Sequence, residues 1–350
     1  MQYISTRDAN RRVSASQAIV AGISPDGGLF LPEEIPQVTP EELSALCAAD
    51  YPHRAANILA RFLTDFTESE LLSYAEKAYA REKFPPREVA PVVSIGDNGH
   101  VLELFHGPTS AFKDFALQML PHLLTASLRK NGETRTVIIL VATSGDTGKA
   151  ALEGFADVPG TKICVFYPHG GTSSMQRLQM TTQRGENVMV CAVRGNFDDA
   201  QTGVKALFTD EAYLAELAAR GYLLSSANSI NWGRLAPQIA YYYSAYCDLA
   251  GAGKIRMGEK INVCVPTGNF GNILAAWYAK HSGLPIARLI CASNRNNVLS
   301  DFLSTGVYDK NRAFHLTTSP SMDILVSSNL ERLLSLTLED EAQLKSLMAA

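Results

Sequence analysis

Apolar segments alternating with helical patterns constrain this chain more than any other feature. Apolar runs at Val137–Ala142, Ile163–Tyr167, Val188–Val193, Ile261–Val265 and Leu289–Ala292 suit buried strands. Between them, apolar residues recur at helical spacing over Asp198–Leu217, Leu235–Leu249 and Ile273–Lys280. This alternation predicts an α/β fold with a mainly parallel sheet covered by helices on both faces. In such folds ligands bind at the carboxyl ends of the strands, in the turns that lead into helices.

Two of those turns stand out. Thr143-Ser144-Gly145-Asp146-Thr147-Gly148-Lys149 follows the first strand, and Pro266-Thr267-Gly268-Asn269-Phe270-Gly271-Asn272 follows Ile261–Val265. Each places glycine and small polar residues at a helix N-terminus, where free amides and the helix dipole favour an anion. Glycine lets the backbone approach that anion closely. Neither turn is a P-loop: Gly145 and Gly148 are too close, and Ala150 stands where a hydroxyl residue is required. Neither is a dinucleotide fingerprint. An ordinary strand-to-helix turn explains either one alone; the two on one sheet point to an anion-binding crevice.

A lysine lies upstream of both. His106-Gly107-Pro108-Thr109 reads as a turn, and a helical apolar pattern starts at Ala111, so Lys113 falls in the first turn of an apolar helix. A helix N-terminus disfavours a cation, and desolvation favours the neutral amine. A neutral amine forms an imine with a carbonyl. The alternative is a lysine that snorkels to solvent. Arg234, in the polar stretch Asn228–Gln238, offers a planar fork for phosphate, or else serves a helix start. His106 neighbours the lysine turn and is a further candidate lining residue.

Composition narrows the function classes. The 350 residues are 46% hydrophobic and 19% charged, with a formal net charge of −4, and no basic run suggests nucleic acid as a partner. The six cysteines are scattered without a Cys-x-x-Cys pair, and no histidine pair has metal-ligand spacing, so neither a disulfide scaffold nor a metal site is expected. No apolar run approaches the ~20 residues of a membrane span, and the first residues do not read as a targeting segment. A cytoplasmic protein without membrane partners is the expectation.

Residues 1–104 read as a smaller, mostly helical domain. Thr39-Pro40-Glu41-Glu42 and Thr67-Glu68-Ser69-Glu70 are capping boxes. Pro91–Ile95 and Val101–Phe105 suggest a strand pair across Gly96–Gly99. Residues 105–350 form the α/β region. Near the end, a helical pattern starts at Thr337 and runs through Leu344 and Leu347 without a terminal cap, which reads as a chain cut short.

A carbonyl cofactor with a phosphate handle would use this lysine and these turns together. The pieces Pro25–Pro32, His106–Asp114, Ala142–Gly148, Gln176–Met180, Asn228–Arg234 and Gly268–Asn272 resemble the threonine synthase family, fold-type-II pyridoxal-phosphate enzymes related to the tryptophan synthase β-subunit. The resemblance covers nearly the whole chain. It implies a two-domain fold with parallel-rich sheets flanked by helices, and pyridoxal 5'-phosphate as cofactor. It makes Lys113 the Schiff-base lysine and catalytic base, with Gly268, Asn269, Phe270, Gly271 and Asn272 forming the cofactor phosphate cup. Thr143, Ser144, Asp146 and Thr147 would bind substrate, with Arg234 as a further anion group. The family substrate is O-phospho-L-homoserine, converted with water to L-threonine and phosphate by a monomer or homodimer. The family's distal segment, with a Ser or Thr against the pyridine nitrogen, has no match here. A serine or threonine dehydratase of the same cofactor class, or a ligand-binding homologue without turnover, are the alternatives.

Overall fold

The computed structural model describes every residue except Ser144, Asn196, 339–343, 345 and 348–350, together with the side chain of Asp198. The chain opens with an antiparallel sheet, β1 (Tyr3–Ser5), β2 (Asp8–Val13) and β3 (Phe30–Pro32), in the order β2-β1-β3, with α1 (Ala15–Ala21) between its second and third strands. The expectation of a mostly helical region overlooked this sheet, whose strands are short and, in β2, largely exposed. Helices α2 (Pro40–Leu46), α3 (Tyr51–Phe62) and α4 (Glu68–Ala78) follow. Thr39 and Thr67 cap α2 and α4 as expected, each exchanging bonds with the glutamate at the third helical position. The antiparallel pair β4 (Val92–Ile95) and β5 (Gly99–Leu102) also matches its expectation.

From α5 (Lys113–Lys130) the strand and helix alternation begins: β6 (Thr136–Ala142), α6 (Asp146–Phe155), β7 (Thr161–Pro168), α7 (Ser174–Thr181) and β8 (Val188–Val193). Next come α8 (Phe197–Thr209), α9 (Glu211–Ala219), β9 (Tyr222–Ser226), α10 (Trp232–Gly251), β10 (Ile261–Pro266), α11 (Gly271–His281), β11 (Ile286–Ala292), α12 (Val298–Thr305) and α13 (Leu330–Thr337). The predicted helix Asp198–Leu217 is two helices, because Asp210 caps a new start by accepting from the Tyr213 amide. Strand β9 escaped the sequence reading. It is short and ends in two serines, yet it pairs in parallel with β6.

The parallel strands form two sheets, not one. The larger has the order β8-β7-β6-β9; β10 and β11 pair separately, with Val265 opposite Cys291. The two glycine turns therefore sit on different sheets and face each other across a crevice. Close helix packing fixes that geometry. Pro121 inside α5 cannot donate to the Leu117 carbonyl. Gly154 of α6 lies against that carbonyl, where a Cβ would come within 2.1 Å of the oxygen.

One buried cluster crosses residue 104. Tyr3, Phe62, Trp232 and Tyr278 meet as an aromatic group, with Tyr3 and Trp232 ring centroids 5.3 Å apart. Tyr51, Tyr79 and Phe84 pack beneath Phe115 of α5, and the Tyr79 hydroxyl donates to the Phe115 carbonyl at 2.9 Å. Arg54 of α3 pairs with Asp248 of α10 at 2.6 Å. The N-terminal helices are thus a floor under α5 and α10, the two helices whose starts carry Lys113 and Arg234. The predicted helix beginning at Thr337 falls mainly on residues outside those described; α13 ends at Thr337. No helix among the described residues is long and apolar enough to cross a membrane.

Candidate active site

Helix α5 begins at Lys113 with no side-chain cap, and its N-terminal turn is held from inside. The Asp114 carboxylate accepts from the Thr109 amide at 2.8 Å, the Thr109 hydroxyl at 2.6 Å and the Ala111 amide at 3.4 Å. Gly107 is required beside it, because a Cβ there would lie 2.5 Å from Asp114 Cβ. This clasp sets the direction in which the neighbouring Lys113 leaves the helix. Lys113 is 7% exposed, and its Nζ sits 4.7 Å from the Phe112 ring centroid.

The amine has a partner the sequence did not suggest. Lys113 Nζ donates to Asp146 Oδ2 at 2.5 Å. Where desolvation was expected to favour a neutral amine, the structure has an ion pair, because Asp146 is the first residue of α6 and projects across the crevice. Burial pushes the Asp146 carboxyl up, but the Lys113 charge, with hydrogen bonds from Lys113, the Ser321 hydroxyl and the Thr147 amide, holds it below the usual carboxylate range. Ser321 lies on a short 3-10 turn, Pro320–Met322, that closes one side of the recess.

The opposite wall is the turn after β10. Phe270, the N-cap of α11, adopts φ +65, an uncommon conformation for a bulky residue. Left-handed backbone at this point turns successive amides to one side and makes a concave nest for an anion. The amides of Gly268, Asn269, Phe270, Gly271 and Asn272 donate to no acceptor among the described residues. The Asn272 Oδ1 atom is taken by the hydroxyls of Tyr241 at 2.5 Å and Tyr242 at 2.6 Å, which leaves its amide N–H groups to face the recess.

Arg234 completes the constellation. It is buried near the start of α10, and Nη1 donates to the Ala227 carbonyl at 2.6 Å. Its Nε has no acceptor among the described residues, and no carboxylate pairs with it. Burial lowers its pKa to about 10 against the opposing influence of Asp146 and Tyr241. A buried guanidinium with an orphaned N–H, beside a bank of open amides, is complementary to a phosphate.

Lys113, Thr147, Arg234 and the 268–272 turn line this one recess, with Phe112, Asn228, Ser229, Gln238 and Met322. Thr143 sits behind it: its hydroxyl accepts from the amides of Gly145 and Gly148. Ser144 lies outside the described residues. His106 bonds Glu103 at 2.7 Å and does not line the recess. Sequence reasoning missed Ser321 and Met322, which no glycine or strand signal flags. No group of His, Cys, Asp or Glu suited to a metal ion occurs among the described residues.

Comparison with known proteins identifies the family. Residues 2–79 match the family "Threonine synthase N terminus", and residues 100–342 match "Pyridoxal-phosphate dependent enzyme". Threonine synthase of Pseudomonas aeruginosa is 43% identical over 335 residues, covering 95% of this chain and 68% of the relative. The chain belongs to the threonine synthase family. Human threonine synthase-like 1 is 44% identical over 360 residues, covering 98% of this chain but 48% of the relative, so the chain spans about half the length of such relatives. The crystal structure of pyridoxal-phosphate-bound threonine synthase from Brucella melitensis superposes with a TM-score of 0.89 at 41% identity, over all of this chain and 72% of that one. The recess fits the cofactor of this family: one buried amine for its aldehyde, and a bank of open amides for its phosphate.

Proposed function

We propose that the protein converts O-phospho-L-homoserine and water to L-threonine and phosphate. The observation that supports this best is a buried amine and a set of unclaimed anion-binding donors facing one recess. Lys113 would bond the cofactor aldehyde, and the amides of Gly268 to Asn272 would hold its phosphate. When bound, pyridoxal phosphate supplies a sink for the electron pair left as a proton departs from the substrate Cα. Lys113, once free, is the base for that proton. Asp146 stands 2.5 Å away and stabilises the ammonium that results. Arg234 and Thr147, which line the recess, would bind the substrate's anionic groups, with the Ser321 turn forming one wall beside them.

A turnover assay tests the reading. Phosphate and threonine should appear together from phosphohomoserine, and Lys113→Ala should remove both turnover and the absorption band of cofactor bonded to the lysine. Ammonia and a keto acid released from threonine, with phosphohomoserine inert, would support the dehydratase instead.

A further inference from the structure

Behind the 268–272 turn lies a buried polar segment that the proposed chemistry does not use. The Ser327 hydroxyl donates to the Gly268 carbonyl at 2.5 Å. The Asn329 backbone amide and its side-chain Nδ2 both donate to the Asn269 carbonyl at 3.1 Å. Both carbonyls are therefore tied from the side away from the recess, which leaves the following amides aimed into it. Asn329 is fixed in turn by Arg332, whose Nη1 donates to Asn329 Oδ1 at 2.5 Å. Asn329 and Arg332 are fully buried.

The same segment reaches the N-terminal sheet. Arg332 Nε donates to the Phe30 carbonyl of β3 at 2.8 Å. The neighbouring Glu331, also buried, accepts from the Thr6 hydroxyl at 2.7 Å and forms a two-pronged pair with Arg7 at 2.8 and 3.0 Å. Charged groups at these depths are costly unless fully bonded. Here they are bonded to two distant parts of the chain at once. Phe270 needs such support, since its left-handed backbone is strained and persists only where surrounding structure over-determines it.

We infer that residues 327–332 are a strut, anchored on the N-terminal sheet, that holds the anion-binding turn in the conformation able to take a phosphate. Ser327 and Asn329 are positioning residues, and the N-terminal segment acts on cofactor binding through Glu331 and Arg332. The inference rests on the reading that the turn receives the cofactor phosphate.

The test compares pyridoxal phosphate with pyridoxal, which lacks the phosphate, in absorbance titrations of the apo-protein. Wild-type protein should prefer the phosphorylated form. Ser327→Ala should lose roughly 5- to 10-fold in affinity for pyridoxal phosphate, the scale of one positioning hydrogen bond, with pyridoxal affinity unchanged; Ser327→Thr should restore it. Glu331→Gln should lose about 2- to 3-fold by weakening the anchor. A wild-type protein with no preference would overturn the phosphate reading and the strut with it. A wild-type preference retained in full by Ser327→Ala would overturn the strut alone. Unchanged affinity in Glu331→Gln would overturn the anchorage on the N-terminal sheet.

Discussion

The turns at 143–148 and 268–272 each lead a parallel strand into a helix, yet the first engages three of its amides with its own side chains and the second leaves its amides open. In the first, the Thr143 hydroxyl accepts from Gly145 at 2.9 Å and Gly148 at 3.0 Å, and Asp146 accepts from Thr147 at 2.7 Å. In the second, Thr267 faces the other way, and its hydroxyl donates to the Val265 carbonyl at 2.7 Å. A threonine follows each strand, Thr143 after β6 and Thr267 after β10, and the two hydroxyls choose opposite partners. The first turn already carries the Asp146 charge and presents it to an amine. The second carries no charge of its own and has an unpaired guanidinium beside its recess. A helix N-terminus is therefore an anion site only when no neighbouring acceptor has claimed its amides.

Exchanging charge between the turns should give effects of unequal size. Asn269→Asp adds a carboxylate to the open nest, opposed to a bound phosphate. Affinity for pyridoxal phosphate should fall on the order of 100-fold, the scale of an uncompensated buried charge, as measured by absorbance titration. Affinity within a factor of two of wild type would place the phosphate elsewhere.

Asp146→Asn removes the charge from the closed turn and should act less on affinity, about 5-fold, through the lost partner of Lys113. Its larger signature is pH dependence. The Asp146 pKa lies below its ordinary value in the folded protein, so the pair's stabilisation is complete above the usual carboxylate range, ~3.9, and is lost as pH falls through the lower folded value. Urea unfolding of apo-protein from pH 6 down to 3 should show a shallower acid decline in Asp146→Asn. Parallel declines in the two proteins would mean that the pair does not couple to folding.

What the sequence revealed follows the same division. The strands β6, β7, β8, β10 and β11 were legible because each contains a mainly apolar run, and the starts of α2 and α4 because their caps are local. Lys113, Arg234 and the two turns were legible as candidates. The separation into two sheets was not, since strand order depends on pairing among distant segments. The Lys113 and Asp146 pair joins residues 33 apart, and the bond from Ser321 to Asp146 spans 175, so no local pattern announces either. Asn329, Glu331 and Arg332 carry no local sequence signal that sets them apart from surface polar residues. Only the fold shows that the start of α13 and its N-cap are buried.

The smallest effect on cofactor affinity should come from Thr143→Val, which keeps the shape of the side chain and removes the oxygen. Two amides at the start of α6 then lose their acceptor in a buried setting. Leaving a buried donor unpaired costs about 1–3 kcal/mol, so apo-protein should unfold at lower urea, with the start of α6 the least protected region in hydrogen exchange. The open turn is on the other sheet and has no bond to Thr143, so affinity for pyridoxal phosphate should stay within about 2-fold of wild type, the additivity expected of sites without shared partners. A loss as large as that of Asn269→Asp, measured at a temperature where both variants are folded, would show that the two turns act as one anion site and would remove the distinction between them.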